Sequence, residues 1–258
     1  MIKDVPRVIE EITDGLKKFT DVAVLGMSGG ADSTLVAILC KLALGPKNVR
    51  ALYMPYHFPY DQVEDLSPRT ANHIEVPIQT ISIHGIVNAF GMSNLLISRD
   101  KVVQGNIQAR VRMILLYAKS NTIGVNDGIR ARVIGTGNHS EGFIGYDTKG
   151  GDGLCDIFPL GSLFKSEIYQ LLDHFRDEGV ITEDMIDRVP SAGLWKGQTD
   201  EGELGHSYDA IELAIRSLIQ GPQEGVSKET LEFVQDRFKK HSHKLALPKI
   251  INLRMFCE

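Results

Sequence analysis

The feature that most constrains the fold is a short apolar run that leads into a glycine-rich loop and then directly into an apolar helix. The run is Val22 to Met27, the loop is Ser28 to Ser33, and the helix is predicted from Leu35 to Leu44. A strand, a tight glycine turn and a helix in immediate succession are typical of a unit of a parallel α/β sheet. The helix N-terminus in such a unit carries unpaired N–H groups and a partial positive charge, so it favours a bound anion.

Further apolar runs alternate with helical patterns through the first half of the chain. Strands are predicted at Val49 to Met54, at Ile78 to Ile83 and at Val133 to Gly135. Helical spacing of apolar residues predicts helices at 3–19 and from Asn106 to Asn121. Strands that are apolar throughout are covered on both faces, so we predict a Rossmann-like parallel sheet flanked by helices.

The remainder of the chain, after about residue 137, is predicted to be mainly helical and to belong to the same single domain, residues 1–258. Three segments are predicted as loops because of their glycine, proline and acidic residues. They are the stretch containing Pro55, Pro59 and Pro68, the stretch Gly193 to Gly205, and the stretch Gln220 to Gly225.

Composition excludes several classes of function. The 258 residues are 43% hydrophobic and carry a net charge of −5, which gives no reason to expect a nucleic-acid or membrane surface. The N-terminal segment is too charged for a signal peptide, and no apolar run reaches the roughly 20 residues of a membrane span, so we expect a cytoplasmic protein. Cys40, Cys155 and Cys257 are far apart and predict neither disulfides nor a zinc site; Cys40 is expected in the core.

The loop after the first strand is predicted to bind phosphate. Its glycines let the backbone approach an anion that a Cβ would obstruct, and its serines add hydroxyl donors. Asp32 would repel phosphate unless a divalent cation lay between them, which predicts Mg²⁺. A helix cap is the alternative interpretation, and the loop matches neither GxxxxGK[ST] nor GxGxxG. The residues predicted to surround the phosphates are consecutive: Gly26, Met27, Ser28, Gly29, Gly30, Ala31, Asp32 and Ser33.

The pattern SGGxDS in this loop resembles the signature of the ATP pyrophosphatases, which split ATP between the α- and β-phosphates. Later motifs narrow the resemblance to one family. They are, in order, Gln104 to Met113, Gly135 to Glu141, Thr148 to Gly153, Asp156 to Leu160, Leu163 to Glu167 and Pro190 to Glu201. Together they resemble the ammonia-dependent NAD⁺ synthetases, from about Val22 to Pro248.

The resemblance implies a ligase for the last step of NAD⁺ biosynthesis. In that family the carboxylate of nicotinic acid adenine dinucleotide attacks the α-phosphate of ATP, pyrophosphate leaves, and ammonia displaces AMP from the resulting NAD-adenylate. Glutamine-using relatives carry an additional amidase domain, for which this chain has no room, so we expect ammonia, free or from a partner. A homodimer with the dinucleotide site at its interface is also implied.

The resemblance assigns the ATP and metal contacts outside the loop. Thr136, Lys165 and Ser191 are expected to contact ATP, with the adenine near Leu52 to Pro55. Glu141 is expected to be the second Mg²⁺ carboxylate, beside that of the phosphate loop. Two structural alternatives stay open. Glu141 could be no more than a helix-capping residue, and Lys165 could pair with a neighbouring surface acid.

The resemblance also assigns dinucleotide contacts to Arg110, Lys149, Asp156, His243 and Lys244. Asp156 is expected to hold and deprotonate ammonium. Asp156 and Lys165 are therefore the two predicted catalytic residues. The alternatives are a solvated helix face for Arg110 and Arg112 and surface decoration for the C-terminal pair.

Two positions depart from the family pattern. Gly150 stands where a bulky residue is usual, so the loop around it is expected to be mobile, and Leu245 replaces a basic residue. Two other functions compete with the synthetase. One is another ATP pyrophosphatase, such as a GMP synthetase or a tRNA-thiolating enzyme, and the other is a nucleotide sensor that does not turn ATP over.

Overall fold

The computed structural model describes residues 1–56, 66–93, 100–187, 189–191, 193–195, 197–246 and 248. Within them, four parallel strands form one sheet in the order β3-β2-β1-β4. Their bounds are Val22–Gly26 for β1, Val49–Tyr53 for β2, Ile78–Thr80 for β3 and Ala131–Ile134 for β4. The predicted parallel sheet is confirmed. Each strand begins and ends within three residues of its predicted bounds.

Strand β1 lies in the middle of the sheet. Ala23 pairs with Val49 of β2 on one side and with Arg132 of β4 on the other. The first four residues of β1 are buried, as an apolar strand covered on both faces must be.

Helices flank the sheet, and the regular structure described after β4 is helical. The α-helices are α1 Val5–Phe19, α2 Ala31–Leu44, α3 Leu66–His73, α4 His84–Ser93, α5 Lys101–Asp127, α6 His139–Phe143, α7 Lys165–Asp177, α8 Asp200–Leu204, α9 Tyr208–Gln220 and α10 Lys228–His241. Single turns of 3₁₀ helix occupy Pro46–Asn48, Glu183–Met185 and Ser242–Lys244.

Helix α2 lies at the centre of the largest apolar cluster, which also contains β1 and the inner side of α7. Every residue from Ser33 to Cys40 is buried, so the helix has no solvated face along this stretch. Its position between the sheet, α1 and α7 explains why its sequence is apolar all round. Cys40 is a core residue, as predicted.

Helix α5 is longer than predicted at both ends. It begins after Asp100, whose side chain accepts hydrogen bonds from the backbone of Val102 at 2.8 Å and Val103 at 3.3 Å. It ends at Gly128, which has a φ of +68°, a conformation that glycine adopts without steric cost. The cap and the terminal glycine extend the helix beyond the apolar positions on which the prediction relied.

Two loop predictions are partly wrong. Pro68 lies in the first turn of α3, where a missing N–H costs nothing because that donor has no partner within the helix. Asp200–Leu204 forms α8 inside the predicted loop, capped by the hydroxyl of Thr199 and closed by Gly205 at a φ of +72°. Pro59 lies outside the described residues.

The C-terminal helices form a second, smaller apolar cluster beside the sheet. It is centred on Ile144, Ile211, Ile215 and Val234, all at 0% exposure. This cluster attaches α9 and α10 to α6. In the described part of the protein, no helix is both long and apolar enough to cross a bilayer.

Candidate active site

The strand order reverses direction beside β1. The chain runs from β1 to β2 and β3 on one side, then returns to place β4 on the other side. The loops that follow the carboxyl ends of two such strands run in different directions. The crevice between them is where open α/β sheets bind ligands. The loop after β1 is the predicted phosphate loop, and the loop after β4 contains Thr136 to Asn138.

The phosphate loop approaches α3 so closely that only glycine fits at one position. Gly29 has a φ of +79°, and a Cβ there would lie 2.9 Å from the backbone nitrogen of Ser67. The hydroxyl of Ser67 donates to the carbonyl of Met27 at 2.7 Å, which fixes this contact. The glycine is therefore required by the turn and by the backbone packed beneath it.

The two serines of the loop bind its own backbone and each other. The N–H of Ser28 donates to Ser33 Oγ at 3.2 Å, and the two hydroxyl oxygens are 3.1 Å apart. Ser33 Oγ also donates to the carbonyl of Gly30 at 3.1 Å. Gly30 is the N-cap of α2, and no side chain accepts a capping hydrogen bond there. An external anion remains the suitable partner for this helix end.

The centre of the site is an ammonium between two carboxylates. Lys165 Nζ pairs with Asp32 Oδ2 and lies 3.3 Å from Glu141 Oε1. The lysine is only 4% exposed although it begins α7, because both carboxylates cover it. Asp32 comes from the loop after β1 and Glu141 from α6, so three separate elements meet at one point.

Asn138 orients both carboxylates. Its amide Nδ2 donates to Asp32 Oδ1 at 2.9 Å, and its Oδ1 accepts from the N–H of Glu141 at 3.0 Å as the N-cap of α6. The cap is thus the asparagine, and the glutamate is not merely a capping residue. The surface-acid alternative for Lys165 is also wrong, since Glu167 accepts from the N–H of Phe164 at 2.9 Å instead.

Burial changes the acidities of the charged pair. Desolvation, reinforced by Asp32 and Asp200 and opposed by Lys165, raises the pKa of Glu141 to about 7. Desolvation alone would lower the pKa of Lys165, but Glu141 and Asp32 outweigh it and hold that pKa above its ordinary value. The lysine is therefore a permanent cation, whereas the glutamate exchanges its proton near neutral pH.

A buried layer of tyrosines and acids lies behind the pair. Tyr208 donates to Asp200 Oδ2 at 3.0 Å and to Glu141 Oε1 at 3.4 Å. Tyr146 donates to Asp200 Oδ1 at 3.2 Å and to Glu203 Oε2 at 2.9 Å. Burial, with Glu141 and Asp200, raises the pKa of the Tyr208 phenol, so it stays a hydrogen-bond donor. Together these groups connect the charged centre to α8.

Two carboxylates of the site could hold Mg²⁺. Two carboxylates already converge on one cation, the ammonium of Lys165, while the described residues contain no group of three or more His, Cys, Asp or Glu suited to a metal. Mg²⁺ typically takes one or two carboxylates and completes its shell with water and substrate phosphates. Asp32 and Glu141 are therefore the residues that could hold it, and nucleotide would have to supply the rest.

The predicted dinucleotide residues form a second group. Arg110 donates to the carbonyl of Lys149 at 3.4 and 3.3 Å, and Lys149 Nζ donates to the carbonyl of His243 at 2.6 Å. Lys244 Nζ donates to the carbonyl of Gly145 at 2.7 Å and is 16% exposed at its side chain, so it is not surface decoration. α5, the 145–153 segment and the C-terminal turn thus meet through these basic side chains.

Asp156 stands apart from both groups. Its Oδ2 accepts from the N–H of Val133 at 2.7 Å and its Oδ1 from the hydroxyl of Tyr117 at 3.4 Å. The residue is exposed beside the end of β4, where Ile157 bridges to Ile134. No hydrogen bond or ion pair within the described ranges joins it directly to the ammonium-centred site.

The structure leaves two predicted ATP contacts without direct support. Thr136 is half-buried just after β4, at the crevice. Ser191 Oγ donates to the carbonyl of Gln198 at 2.8 Å and accepts from the N–H of Gly193 at 3.1 Å, so its hydroxyl is engaged within its own loop. Gly150 has a φ of +73°, which accounts for glycine at a position where the family carries a bulky residue.

Sequence reasoning missed four polar residues around the site. Asn138, Asp200, Tyr208 and Glu212 were not assigned a role, although an asparagine three residues before a glutamate is a recognisable helix start. Arg112 was treated with Arg110 as a possible solvated face, yet its Nε donates to the carbonyl of Met54 at 3.1 Å and burial lowers the pKa of Arg112 to about 10. It therefore faces the end of β2, where the adenine is predicted.

Proteins of known sequence are similar to this chain over almost its whole length. The model of the NAD synthase family matches residues 5–248. A protein from Pyrococcus horikoshii named NH(3)-dependent NAD(+) synthetase is 38% identical over 256 residues, covering 96% of this chain and 95% of that protein. A protein of the same name from Methanocaldococcus jannaschii is 34% identical, covering 93% of this chain and 96% of the relative.

Solved structures have the same fold. An NMN synthetase from Francisella tularensis is similar with a TM-score of 0.84 at 31% identity, over 98% of this chain and 100% of that one. An NH3-dependent NAD synthetase from Campylobacter jejuni, in complex with a nitrate ion, has a TM-score of 0.78 at 30% identity, over 96% and 100% of the two chains. The predicted Rossmann-like fold and the predicted family are both confirmed: the chain belongs to the NAD synthase family.

Proposed function

We propose that this protein is a ligase that amidates nicotinic acid adenine dinucleotide with ammonia, releasing NAD⁺, AMP and pyrophosphate from ATP. One observation carries the proposal: Asp32, Glu141 and Lys165 converge at the crevice between the loops of β1 and β4. Relatives at 34% and 38% identity are named NH(3)-dependent NAD(+) synthetases, which supports ammonia as the nitrogen source.

The phosphate loop binds the triphosphate. The N–H groups of the first turn of α2 face the anion, and the hydroxyls of Ser28 and Ser33 exchange their mutual hydrogen bond for contacts to phosphate oxygens. Thr136 and Ser191 add hydroxyl donors from the opposite loops, for which Ser191 must release the carbonyl of Gln198. The positive end of α2 neutralises part of the charge.

Lys165 changes partners when nucleotide binds. Without nucleotide its single positive charge is shared between two half-buried carboxylates, which are 17% and 20% exposed at the side chain. Mg²⁺ held by Asp32 and Glu141 would supply the positive charge that the α- and β-phosphates need. Lys165 is then released to the departing pyrophosphate, because positioning and charge neutralisation dominate catalysis of phosphoryl and nucleotidyl transfer.

The basic group of Arg110, Lys149, His243 and Lys244 binds the dinucleotide. Arg110 donates to the carbonyl of Lys149, and Lys149 donates to the carbonyl of His243, so the guanidinium and the ammonium lie at the same surface. Lys244 would have to leave the carbonyl of Gly145 to reach substrate. Asp156 is exposed and anionic, so it holds ammonium and accepts the proton that must leave before attack.

We further propose a cytoplasmic homodimer of single-domain chains, residues 1–258, with the dinucleotide bound at the subunit interface. The exposed positions of Arg110 and Lys149 support this, because a second subunit would complete the wall around them. Sedimentation of the purified protein at several concentrations tests the dimer, and a monomer that retains full specific activity contradicts it.

A second candidate substrate follows from the comparison with the Francisella tularensis structure, which is named an NMN synthetase. The corresponding acid is nicotinic acid mononucleotide, which presents the same pyridine carboxylate without the adenylyl half. Both reactions would use the phosphate loop and the ammonium-centred site in the same way, so only the length of the substrate distinguishes them.

The deciding experiment supplies the protein with ATP, Mg²⁺ and ammonium together with either nicotinic acid adenine dinucleotide or the mononucleotide. We expect NAD⁺ and AMP in equal amounts with the dinucleotide and a lower kcat/KM with the mononucleotide. A higher kcat/KM with the mononucleotide would reassign the substrate. Intact ATP with both acids would support the nucleotide-sensor alternative instead.

A further inference from the structure

A buried carboxylate lies next to the active site and has no cation as partner. Glu212, on α9, is 4% exposed. Among the residues whose placement is described, no lysine, arginine or histidine lies within ion-pair distance of it. An isolated charge in this position is unfavourable unless several hydrogen bonds satisfy its oxygen atoms.

The hydrogen bonds come from two different helices. Glu212 Oε1 accepts from the hydroxyl of Ser140 at 2.9 Å and from the N–H of Ser166 at 3.1 Å. Its Oε2 accepts from the hydroxyl of Ser166 at 2.5 Å. Ser140 Oγ in turn accepts from the N–H of Lys165 at 3.0 Å. One carboxylate thus connects the start of α7 to α6.

The two serines are the chain neighbours of the charged pair. Ser140 precedes Glu141, and Ser166 follows Lys165, so a contact that joins the serines also fixes the backbones of the acid and the ammonium. The resulting separation between Glu141 Oε1 and Lys165 Nζ is 3.3 Å.

Helix capping alone does not explain why Glu212 is buried at the start of α7. α7 already has a local capping carboxylate, Glu167, whose Oε2 accepts from the N–H of Phe164 at 2.9 Å. Glu167 is neutralised by Arg216 at 3.1 Å, whereas Glu212 has no such cation. Glu212 also belongs to a different helix, α9, which begins 42 positions after Ser166. The positive end of α7 offsets part of its burial cost.

We propose that Glu212 is a positioning residue, which holds α6 and α7 together so that Glu141 and Lys165 meet the metal and the phosphates at a fixed separation. The inference rests on the proposed function of that pair and adds the residue that sets its geometry. Glu212 touches neither substrate nor metal. It acts through the two serines.

The test compares Glu212→Ala and Glu212→Gln with Glu167→Gln, which also removes a carboxylate from the start of α7 but leaves the link to α6 intact. Two quantities are measured in each folded variant: kcat for NAD⁺ formation, and the calorimetric Kd for the magnesium complex of a non-hydrolysable ATP analogue. The second needs no turnover.

For Glu212→Ala we expect kcat to fall about 100-fold, because small misplacements of catalytic groups have effects of this size. The Kd should rise about tenfold, as is usual when an outer residue that orients metal ligands is removed. Glu212→Gln keeps one acceptor oxygen and should lie between Glu212→Ala and wild type. Glu167→Gln should lower Tm while kcat and Kd stay at the wild-type values.

Wild-type kcat and Kd in Glu212→Ala, or equal losses in Glu167→Gln, would overturn the proposal. If Glu212→Ala does not fold, Ser166→Ala removes the hydroxyl contact alone, and an unchanged Kd in that variant would likewise overturn it. A wild-type protein that binds the analogue but forms no NAD⁺ would contradict the proposed function, while the Kd comparison would still decide the role of Glu212.

Discussion

The side-chain amide of Asn138 donates a 2.9 Å hydrogen bond to Asp32, which joins the loop after β4 to the loop after β1. The same side chain accepts from the N–H of Glu141. One uncharged residue therefore sets the relative orientation of the two carboxylates on which the proposed metal site depends. Residues of this kind commonly matter as much as the ligands that they orient.

Asn138→Ala should weaken the apparent Mg²⁺ affinity in AMP formation about 10- to 100-fold, the usual effect of losing an orienting partner. It should also cost about 1 kcal/mol of stability through the lost helix cap. Ser227→Ala is the control, because the hydroxyl of Ser227 caps α10 by accepting from the N–H of Thr230 at 3.0 Å. This cap is not part of the charged pair. Equal Mg²⁺ titrations for the two variants would contradict the orienting role.

Asp32→Asn should reduce AMP formation at least about 100-fold, because a neutral amide neither holds Mg²⁺ well nor compensates Lys165. Circular dichroism should show an intact fold, since the charge lies at the end of the sheet and outside the apolar core. Asp14→Asn, on the exposed side of α1, is the matched control and should keep wild-type activity. Comparable AMP formation in Asp32→Asn would rule out the metal role.

Lys165→Met should destabilise the metal-free protein by about 3–5 kcal/mol, because it leaves two buried carboxylates without a cation. Urea unfolding measures this loss. Added Mg²⁺ should restore more stability to the variant than to wild type, since the ion would take over the missing charge. Lys17→Met, which breaks only an exposed pair with Asp14, should change stability little. A variant that gains no more from Mg²⁺ than wild type would show that the ion does not bind between the acids.

The pKa of Glu141, raised to about 7, predicts competition between protons and Mg²⁺. Below that pH the carboxyl is protonated, so the Mg²⁺ concentration for half-maximal AMP formation should rise by up to about tenfold per pH unit. Protonation of Glu141 has the opposite effect on the metal-free fold, because low pH stabilises it. The contribution of Glu141 to the free energy of unfolding is greatest below 4.5, the pKa in the unfolded chain, and is lost as pH rises through 7. Titrations at pH 6, 7 and 8 on wild type and Glu141→Gln check the first effect, which the variant should lack.

Gly29→Ala should weaken nucleotide binding and lower stability by about 1–2 kcal/mol, the cost of a left-handed conformation for a residue with a Cβ. The new methyl group would also lie 2.9 Å from the backbone of Ser67. Gly15→Ala, in the middle of α1 with open space around it, should instead stabilise by about 0.5–1 kcal/mol. Thermal unfolding with and without ATP distinguishes the two, and equal Tm values would contradict the close approach.

The sequence predicts those parts of the fold that local pattern determines. The first strand, the glycine loop and the helix after it were found because Val22 to Leu44 combines a continuous apolar run with a turn that requires glycine. Helices α3 and α4 were missed, and α8 was taken for a loop, because all three are short and contain a proline or a glycine. The length of α5 depends on Asp100 and Gly128, which lie beyond its apolar stripe.

The site was predicted only as far as the family motifs reach. They supplied Asp32, Glu141 and Lys165, and the structure brings these three together. Glu212 and Tyr208 have no motif of their own, and their contacts with Ser140 and Glu141 depend on how α9 packs. Such contacts arise from tertiary packing between distant segments, which a periodic pattern in the sequence does not encode.

The order of the strands also sets when the protein becomes able to act on ATP. β1, β2 and β3 pair side by side and are complete once the first 80 residues exist, and Asp32 is already in its loop at that stage. Glu141 and Lys165 reach it only after β4 has docked on the opposite edge of β1. The first 80 residues therefore contain the phosphate loop but neither of the two groups that pair with Asp32, both of which come from segments after β4.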